Sequence, residues 1–184
     1  MSNISLNLKI FKSRNIILNQ LKRRGFNTSE YENFSLNEIH ILHQNNQLDM
    51  LLSTNSEDDE KEKKCYVKYH LSGKLTKSNI YDYIEDLHNI EDILDDDDDL
   101  IIVIKDNVNQ TLLSFIKQLY HKDKKFVPIF DVHRYLFNIL DHSMVPKHEK
   151  VSKDEMERLV KELNIMNPSQ WPEISMTDPV AQAI

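Results

Sequence analysis

From Leu8 onward the apolar positions Leu8, Phe11, Leu18 and Leu21 recur at the spacing of one helical face. Lys22, Arg23 and Arg24 fall in the last turn and Gly25 marks the stop, so the pattern predicts a first helix. SLNE, Ser35 to Glu38, reads as a capping box that opens a short helix, after which Leu48, Met50 and Leu52 alternate as on a strand. The polar run from Asn55 to Lys64 predicts a long solvated hairpin loop ahead of a second strand, Cys65 to Tyr69. Ser78 is the expected N-cap of a helix carrying Ile80, Tyr83, Ile84 and Leu87 and ending near Ile90. LIIVI, Leu100 to Ile104, is apolar without interruption and predicts a central strand buried on both faces. A helix over Gln110 to Tyr120 buries Leu112, Leu113, Phe115, Ile116 and Leu119, and KFVPIF, Lys125 to Phe130, supplies one more strand. Strands alternating with helices predict an α/β fold with a mixed, partly parallel sheet in a three-layer-like arrangement.

Past Tyr135 the character changes. An apolar segment, YLFNIL, leads into a proline turn, and Ser152 with Glu155 three residues on reads as a second capping box, for a helix bearing Met156, Leu159, Val160 and Leu163. Trp171 and Ile174 suit a short extended segment, and Asp178-Pro179 is an N-cap followed by proline, the usual entry to a helix. The boundary falls near Phe137 to Asp141, which predicts a larger α/β domain over 1–138 and a small α+β domain over 139–184. No internal repeat is visible.

Composition narrows the function. A chain of 184 residues, 40% hydrophobic, can bury one substantial core or two small ones. Its net charge of -7 argues against coating nucleic acid or anionic membrane through an overall field, so any contact with DNA is local. The single cysteine, Cys65, excludes a disulfide framework and Cys-rich zinc modules and fits a reducing compartment. Two glycines leave few positive-φ turns and no phosphate-cradling loop. The first residues lack the apolar core of a signal peptide and no run reaches the length of a membrane span, so a soluble intracellular protein is expected.

Candidate chemistry is sparse. His142 and His148, with Asp141 and Glu149, offer metal ligands, but their spacing matches neither HExxH nor a finger. Asp95 to Asp99 lacks the alternation and glycine of a calcium loop and reads as a repelling, solvated loop. Cys65 with His70 or His88 could form a nucleophile and base, yet the cysteine sits on a predicted strand. A magnesium nuclease on an α/β sheet would place an acid and an acid-x-Lys on the central strand; here the place reads Val103-Ile104-Lys105. Asp82, Glu85 and Lys105 are the best available set for that alternative.

The C-terminal third carries a more specific pattern. NILDHSMVPKHEKVSKDEMERLVKELNI followed by QWPEISMTDPVA resembles the shared fifth subunit of eukaryotic DNA-directed RNA polymerases, a family with shorter archaeal relatives. The pattern falls on Asp141, His142, Val145, Pro146, His148, Ser152, Glu155, Pro172, Ile174, Asp178, Pro179, Val180 and Ala181. Weaker likeness covers RRGF at Arg23 to Phe26, the QLDMLL strand and LIIVI. The archaeal relatives lack that N-terminal part.

The resemblance implies an N-terminal jaw domain near downstream DNA and a C-terminal assembly domain docking on the largest polymerase subunit. It implies no catalysis by this chain, no cofactor and no metal. The implied subunit interface comprises Asp141, His142, Val145, Pro146, His148, Pro172, Ile174, Asp178, Pro179 and Val180, with other polymerase subunits as further partners, downstream DNA met indirectly and no membrane. Trp171 replaces the family's usual leucine. The family's Thr-Pro-Ser-Ala-like turn reads Gln110-Thr111-Leu112-Leu113 here, which makes Gln110 and Thr111 the DNA-proximal candidates. The family continues past Asp-Pro-Val-Ala through a Gly-containing basic strand, whereas this sequence reads to Ile184, so the assembly domain is expected to be incomplete. The implied setting is the nucleus, or a viral factory and virion for a viral version. A free-standing adaptor derived from the subunit is a further alternative.

Overall fold

The computed structural model describes residues 3–54, 62–148 and 151–184. The chain divides into two compact units, Met1–Asn138 and Ile139–Ile184. In the first, α1 (Asn3–Arg23) and α2 (Leu36–Gln44) precede β1 (Met50–Ser53) and β2 (Lys64–His70). There follow α3 (Lys77–Glu85) with a π-helical turn (Asp86–Ile90), β3 (Asp99–Ile104), α4 (Gln110–Asp123) and β4 (Ile129–Asp131). The sheet runs β1-β2-β3-β4, with β1 antiparallel to β2 and the other neighbours parallel.

Leu100 to Ile104 are all buried, and alternation sends them to two cores. Ile101 and Val103 join Met50, Leu52, Cys65, Val67 and Phe130 against Ile17, Leu18 and Leu21 of α1. Leu100, Ile102 and Ile104 join Ile129 against Ile80 and Leu87 of the α3 region and Leu112, Phe115, Ile116 and Leu119 of α4. Both parallel crossovers therefore put their helices on one face of the sheet and leave the other to α1. Ile10, Ile39 and Leu48 fasten α2 to α1.

The helix and strand ends depart from expectation in instructive ways. Helix α1 begins well before Leu8, and Leu8 is on its exposed side; Ile10 and Ile17 join the expected Leu18 and Leu21 in the buried stripe. At its far end Phe26 N–H donates to the Leu21 carbonyl and Gly25 N–H to that of Lys22, a Schellman stop that needs the φ of +93° at Gly25. Helix α3 is capped by Thr76, not Ser78. Thr76 Oγ1 accepts from Asn79 N–H while Asn79 Oδ1 accepts from Thr76 N–H, a reciprocal box in which asparagine replaces the usual glutamate. Within KFVPIF only the end pairs: Pro128 has no N–H to give, although its carbonyl accepts from Ile102 N–H, and β4 starts after it. Scarce glycine does not mean few left-handed positions, since Asn33, Asn46, Asp92, Lys124 and Asn164 all adopt positive φ. Asparagine and aspartate tolerate that region better than other side chains do.

Several polar groups organise this unit. Asp49 Oδ1 accepts from Tyr69 N–H at 2.8 Å and its Oδ2 from Lys68 Nζ at 2.6 Å and the Tyr66 hydroxyl at 3.3 Å. The acidic run ahead of β3 is fastened in place, unlike the repelling loop its composition predicts. Asp98 accepts from the backbone N–H of Lys64 and of Asp95, Asp99 pairs with Arg24 and Lys63, and Asp96 with Lys125. On the outer edge of β1, the Tyr31 hydroxyl accepts from Leu51 N–H and donates to the Leu51 carbonyl, both at 3.1 Å, and Asn27 N–H donates to the Ser53 carbonyl at 2.8 Å. The β1–β2 pairing is a hairpin; most of the loop expected between Asn55 and Lys64 lies outside the described residues.

The second unit holds a 3-10 turn (Ile139–Asp141), α5 (Lys153–Glu162), a second 3-10 turn (Pro168–Gln170) and α6 (Pro179–Gln182). Its described residues form no strand, so the expected α+β character is not met there. The Trp171 to Ile174 segment has no neighbouring strand to pair with, and Pro172 has no N–H to offer a ladder. Helix α5 presents no buried side chain.

The capping assignment is testable by equilibrium denaturation. Thr76→Ala is expected to cost about 1 kcal/mol by removing the N-cap, whereas Ser78→Ala inside the first turn is expected to change stability by less than about 0.5 kcal/mol. Equal losses would contradict the assignment.

Candidate functional site

The stretch from Ile139 to His148 is folded on its own histidines. After the 3-10 turn, His142 N–H donates to the Ile139 carbonyl at 3.2 Å and Val145 N–H to the His142 carbonyl at 2.9 Å. Met144 N–H donates to His142 Nδ1 at 3.2 Å, and His148 Nδ1 lies 2.6 Å from the Pro146 carbonyl, which can only accept, so that ring nitrogen carries a proton. Each ring thus holds backbone two residues away. Val145 is half-buried, while Asp141, His142, Pro146 and His148 are exposed. Glu149, the fourth of the possible ligands, lies outside the described residues.

Asp178 accepts from Val180 N–H at 2.8 Å with Pro179 in the first turn, and the resulting α6 packs on the 3-10 turn that ends in Asp141. The structure therefore brings the 3-10 turn that ends in Asp141 against the short helix that Pro179 and Val180 begin. Pro172 and Ile174 lie exposed on the segment leading into α6. Helix α5 is capped by Ser152, whose Oγ accepts from Glu155 N–H at 3.3 Å. The reciprocal half of the expected box is not made: the Glu155 carboxylate turns to Arg158 instead, at 3.5 Å.

Gln110 and Thr111 stand apart from this group, in the other unit, as the first two residues of α4. Asn109 Oδ1 takes the Leu112 N–H at 2.8 Å, leaving the N–H groups of Gln110 and Thr111 directed off the helix end. The alternative nuclease set is dispersed over elements: Asp82 and Glu85 are exposed on α3 and Lys105 follows β3. Among the described residues no three His, Cys, Asp or Glu side chains gather as a metal site would require. No described helix is long and apolar enough to cross a membrane.

Cys65 is fully buried in β2, and burial, helped by the nearby Asp99 charge, pushes its thiol up to about 12. The thiolate that a nucleophile needs is thereby suppressed, and His70, a candidate base, is bonded at 2.7 Å to the Tyr83 hydroxyl. His88 belongs to the π-helical turn that follows α3. Periodicity did not reveal the Asp49 node, nor a bridge in which the Asn7 amide spans His40 and His43. Both depend on partners that are distant in sequence, and no local motif announces them.

Residues 137–184 match the family described as RNA polymerase Rpb5, C-terminal domain. Over 176 residues the chain is 24% identical to the DNA-directed RNA polymerases IV and V subunit 5B of Arabidopsis thaliana, covering 95% of this chain and 77% of that one. It is 25% identical over 167 residues to the DNA-directed RNA polymerase V subunit 5A of the same plant, covering 90% and 71%. Over 47 residues it is 51% identical to the DNA-directed RNA polymerase subunit Rpo5 of Staphylothermus marinus, a match that takes in 26% of this chain and 50% of that relative. The match thus spans about three quarters of the plant relatives and half of the archaeal one.

A thiol-reactive probe at about pH 8 is expected to leave Cys65 unmodified in the native protein and to react fully once denaturant is added. Rapid modification of the folded chain would restore the nucleophile.

Proposed function

The chain belongs to the RNA polymerase Rpb5 family, and we propose that it serves as the fifth, non-catalytic subunit of a multisubunit DNA-directed RNA polymerase. In this reading the Ile139–Ile184 unit docks on the largest subunit and the N-terminal unit forms part of the jaw beside downstream DNA. The ordered series Asp141-His142, Val145-Pro146, His148, Ser152 and Asp178-Pro179-Val180 within the matched region carries the proposal. Transcription is then its process. The nucleus is its place, or a viral factory and virion if the source is a virus.

The physical character of the second unit supports docking. Met144, Met166, Leu163, Ile174, Met156 and Met176 are exposed by 82%, 90%, 61%, 52%, 48% and 44%, far more apolar surface than a small unit benefits from leaving in water. Pro146 fixes its own φ, and the His148 bond to its carbonyl holds the turn, which lowers the ordering cost when a partner binds. The interface would be built from Asp141, His142, Val145, Pro146, His148, Pro172, Ile174, Asp178, Pro179 and Val180. The N-terminal unit would bring Gln110 and Thr111 near DNA through exposed N–H donors at the start of α4, a place where phosphate oxygens are readily accepted.

Purification of the tagged chain from its native source is expected to recover the large polymerase subunits with it; recovery of the chain alone would overturn the proposal. Pro146→Gly combined with His148→Ala is expected to weaken capture of the largest subunit by about tenfold. The same pair, being on an exposed loop, should cost less than about 1 kcal/mol of stability. Unchanged capture together with a collapse in thermal stability would remove this loop from the interface.

A further inference from the structure

Sulfur is divided unequally between the two units. The chain holds one cysteine and six methionines. In the first unit Cys65 and Met50 are buried in the core on one face of the sheet, while Met1 lies outside the described residues. The other four, Met144, Met156, Met166 and Met176, fall in the Ile139–Ile184 unit, and all four are exposed. Met166 and Met144 are the two most exposed large apolar side chains among the described residues.

Leucine or isoleucine would supply as much apolar area for docking. Methionine differs in being unbranched and polarizable, so it adapts to a partner surface, and in being the apolar side chain that a two-electron oxidant turns into a polar one. The four thioethers are carried on well-placed backbone. Met144 N–H donates to His142 Nδ1 at 3.2 Å, Met156 N–H to the Ser152 carbonyl at 2.9 Å and Met166 N–H to Gln170 Oε1 at 2.7 Å. Met176 sits between Ser175 and Thr177, whose hydroxyls lie 2.9 Å apart just ahead of α6. None of the four belongs to a hydrophobic core cluster, and α5, which bears Met156, has no buried side chain. Chemical change at these sulfurs therefore alters the surface and removes no core contact.

With a peroxide as oxidant the step balances. A sulfur lone pair attacks one peroxide oxygen, the O–O bond breaks as the S–O bond forms, and sulfur gives up two electrons. The other oxygen leaves as water after taking the proton of the transferred hydroxyl. Cys65 would compete for the oxidant if it were accessible as a thiolate, but burial pushes its thiol up to about 12.

We infer that Met144, Met156, Met166 and Met176 form an oxidation-responsive contact surface. A peroxide converts their thioethers to sulfoxides in the free subunit, and docking weakens because each strongly polar S–O group must give up water without gaining a matched donor. Methionine sulfoxide reductases reverse the change, the oxygen leaving as water while a dithiol becomes a disulfide. The inference rests on the polymerase-subunit reading given above, since docking on the largest subunit is the step that oxidation interrupts.

The test treats the full chain with hydrogen peroxide, follows each methionine by peptide mass mapping, and measures capture of the large polymerase subunits from an extract of the native source. The four exposed methionines are expected to gain one oxygen each at least about tenfold faster than Met50, with Cys65 unmodified and thermal unfolding unchanged. Capture is expected to fall by about tenfold and to return after treatment with the two stereospecific sulfoxide reductases and a dithiol. A chain carrying Met144→Leu, Met156→Leu, Met166→Leu and Met176→Leu keeps its apolar area and is expected to capture the subunits with no response to peroxide. Oxidation of the four no faster than that of Met50 overturns the inference. So does a loss of capture that the reductases do not reverse, or one that the leucine variant shares. Should the leucine variant fold poorly, reductase reversal in the wild type decides alone. Equal capture by the untreated and the fully oxidised chain sinks the switch and leaves the subunit assignment standing, whereas no capture by the untreated chain overturns the assignment and the switch with it.

Discussion

A strand that is apolar on both faces cannot exist without a layer on each side, and β3 imposes that condition on the whole N-terminal unit. Leu100 to Ile104 are between 0% and 4% exposed, and each such side chain contributes about 2 kcal/mol when fully buried. Alternation divides them between α1 on one face and the α3 and α4 helices on the other. Two parallel neighbours then require crossovers, and the right-handed rule places both crossover helices together. The start of the strand is held as firmly as its middle. Arg24 from the end of α1 and Lys63 ahead of β2 meet at Asp99, so three elements converge where β3 begins.

That strand was also the most legible feature of the sequence, because an uninterrupted run of five apolar residues leaves little choice of environment. Helices α1, α2 and α4 were readable for a related reason: apolar spacing and caps are local properties. What escaped was non-local or chemically unusual. The Thr76 box uses asparagine as its reciprocal partner, a weaker signal than the glutamate of Ser35 to Glu38. The anchoring of Asp98 and Asp99 could not be read from five consecutive aspartates, since their partners lie on other elements. Arg14 is 2% exposed in α1, donating to the Leu48 carbonyl at 2.7 Å and stacking near Tyr31 and Phe34, although charge alone would place it in solvent. Trp171 to Ile174 stays outside any sheet because a strand is a relation between segments, and among the described residues none pairs with it.

The stretch from Asp141 to His148 was legible as a pattern before it was legible as geometry. The family resemblance marked Asp141, His142, Pro146 and His148 as belonging together, but only the structure assigns the two imidazoles to backbone two residues away. That arrangement gives the histidines a shaping role. A loop that holds its own backbone in this way has little conformational freedom left to lose. The two units thus divide the work: one is folded around a deep core, the other is mostly surface.

The hydroxyl of Tyr31 on Leu51, with Asn27 beside it on Ser53, has a consequence beyond local bonding. An edge strand with open N–H and C=O groups is a template on which another copy can add itself, the first step toward fibrous aggregates. Here one phenol occupies the donor and the acceptor of the same residue, and the chain after α1 closes the next carbonyl. By capping the outer edge of β1 from within, this protein closes that route to self-association.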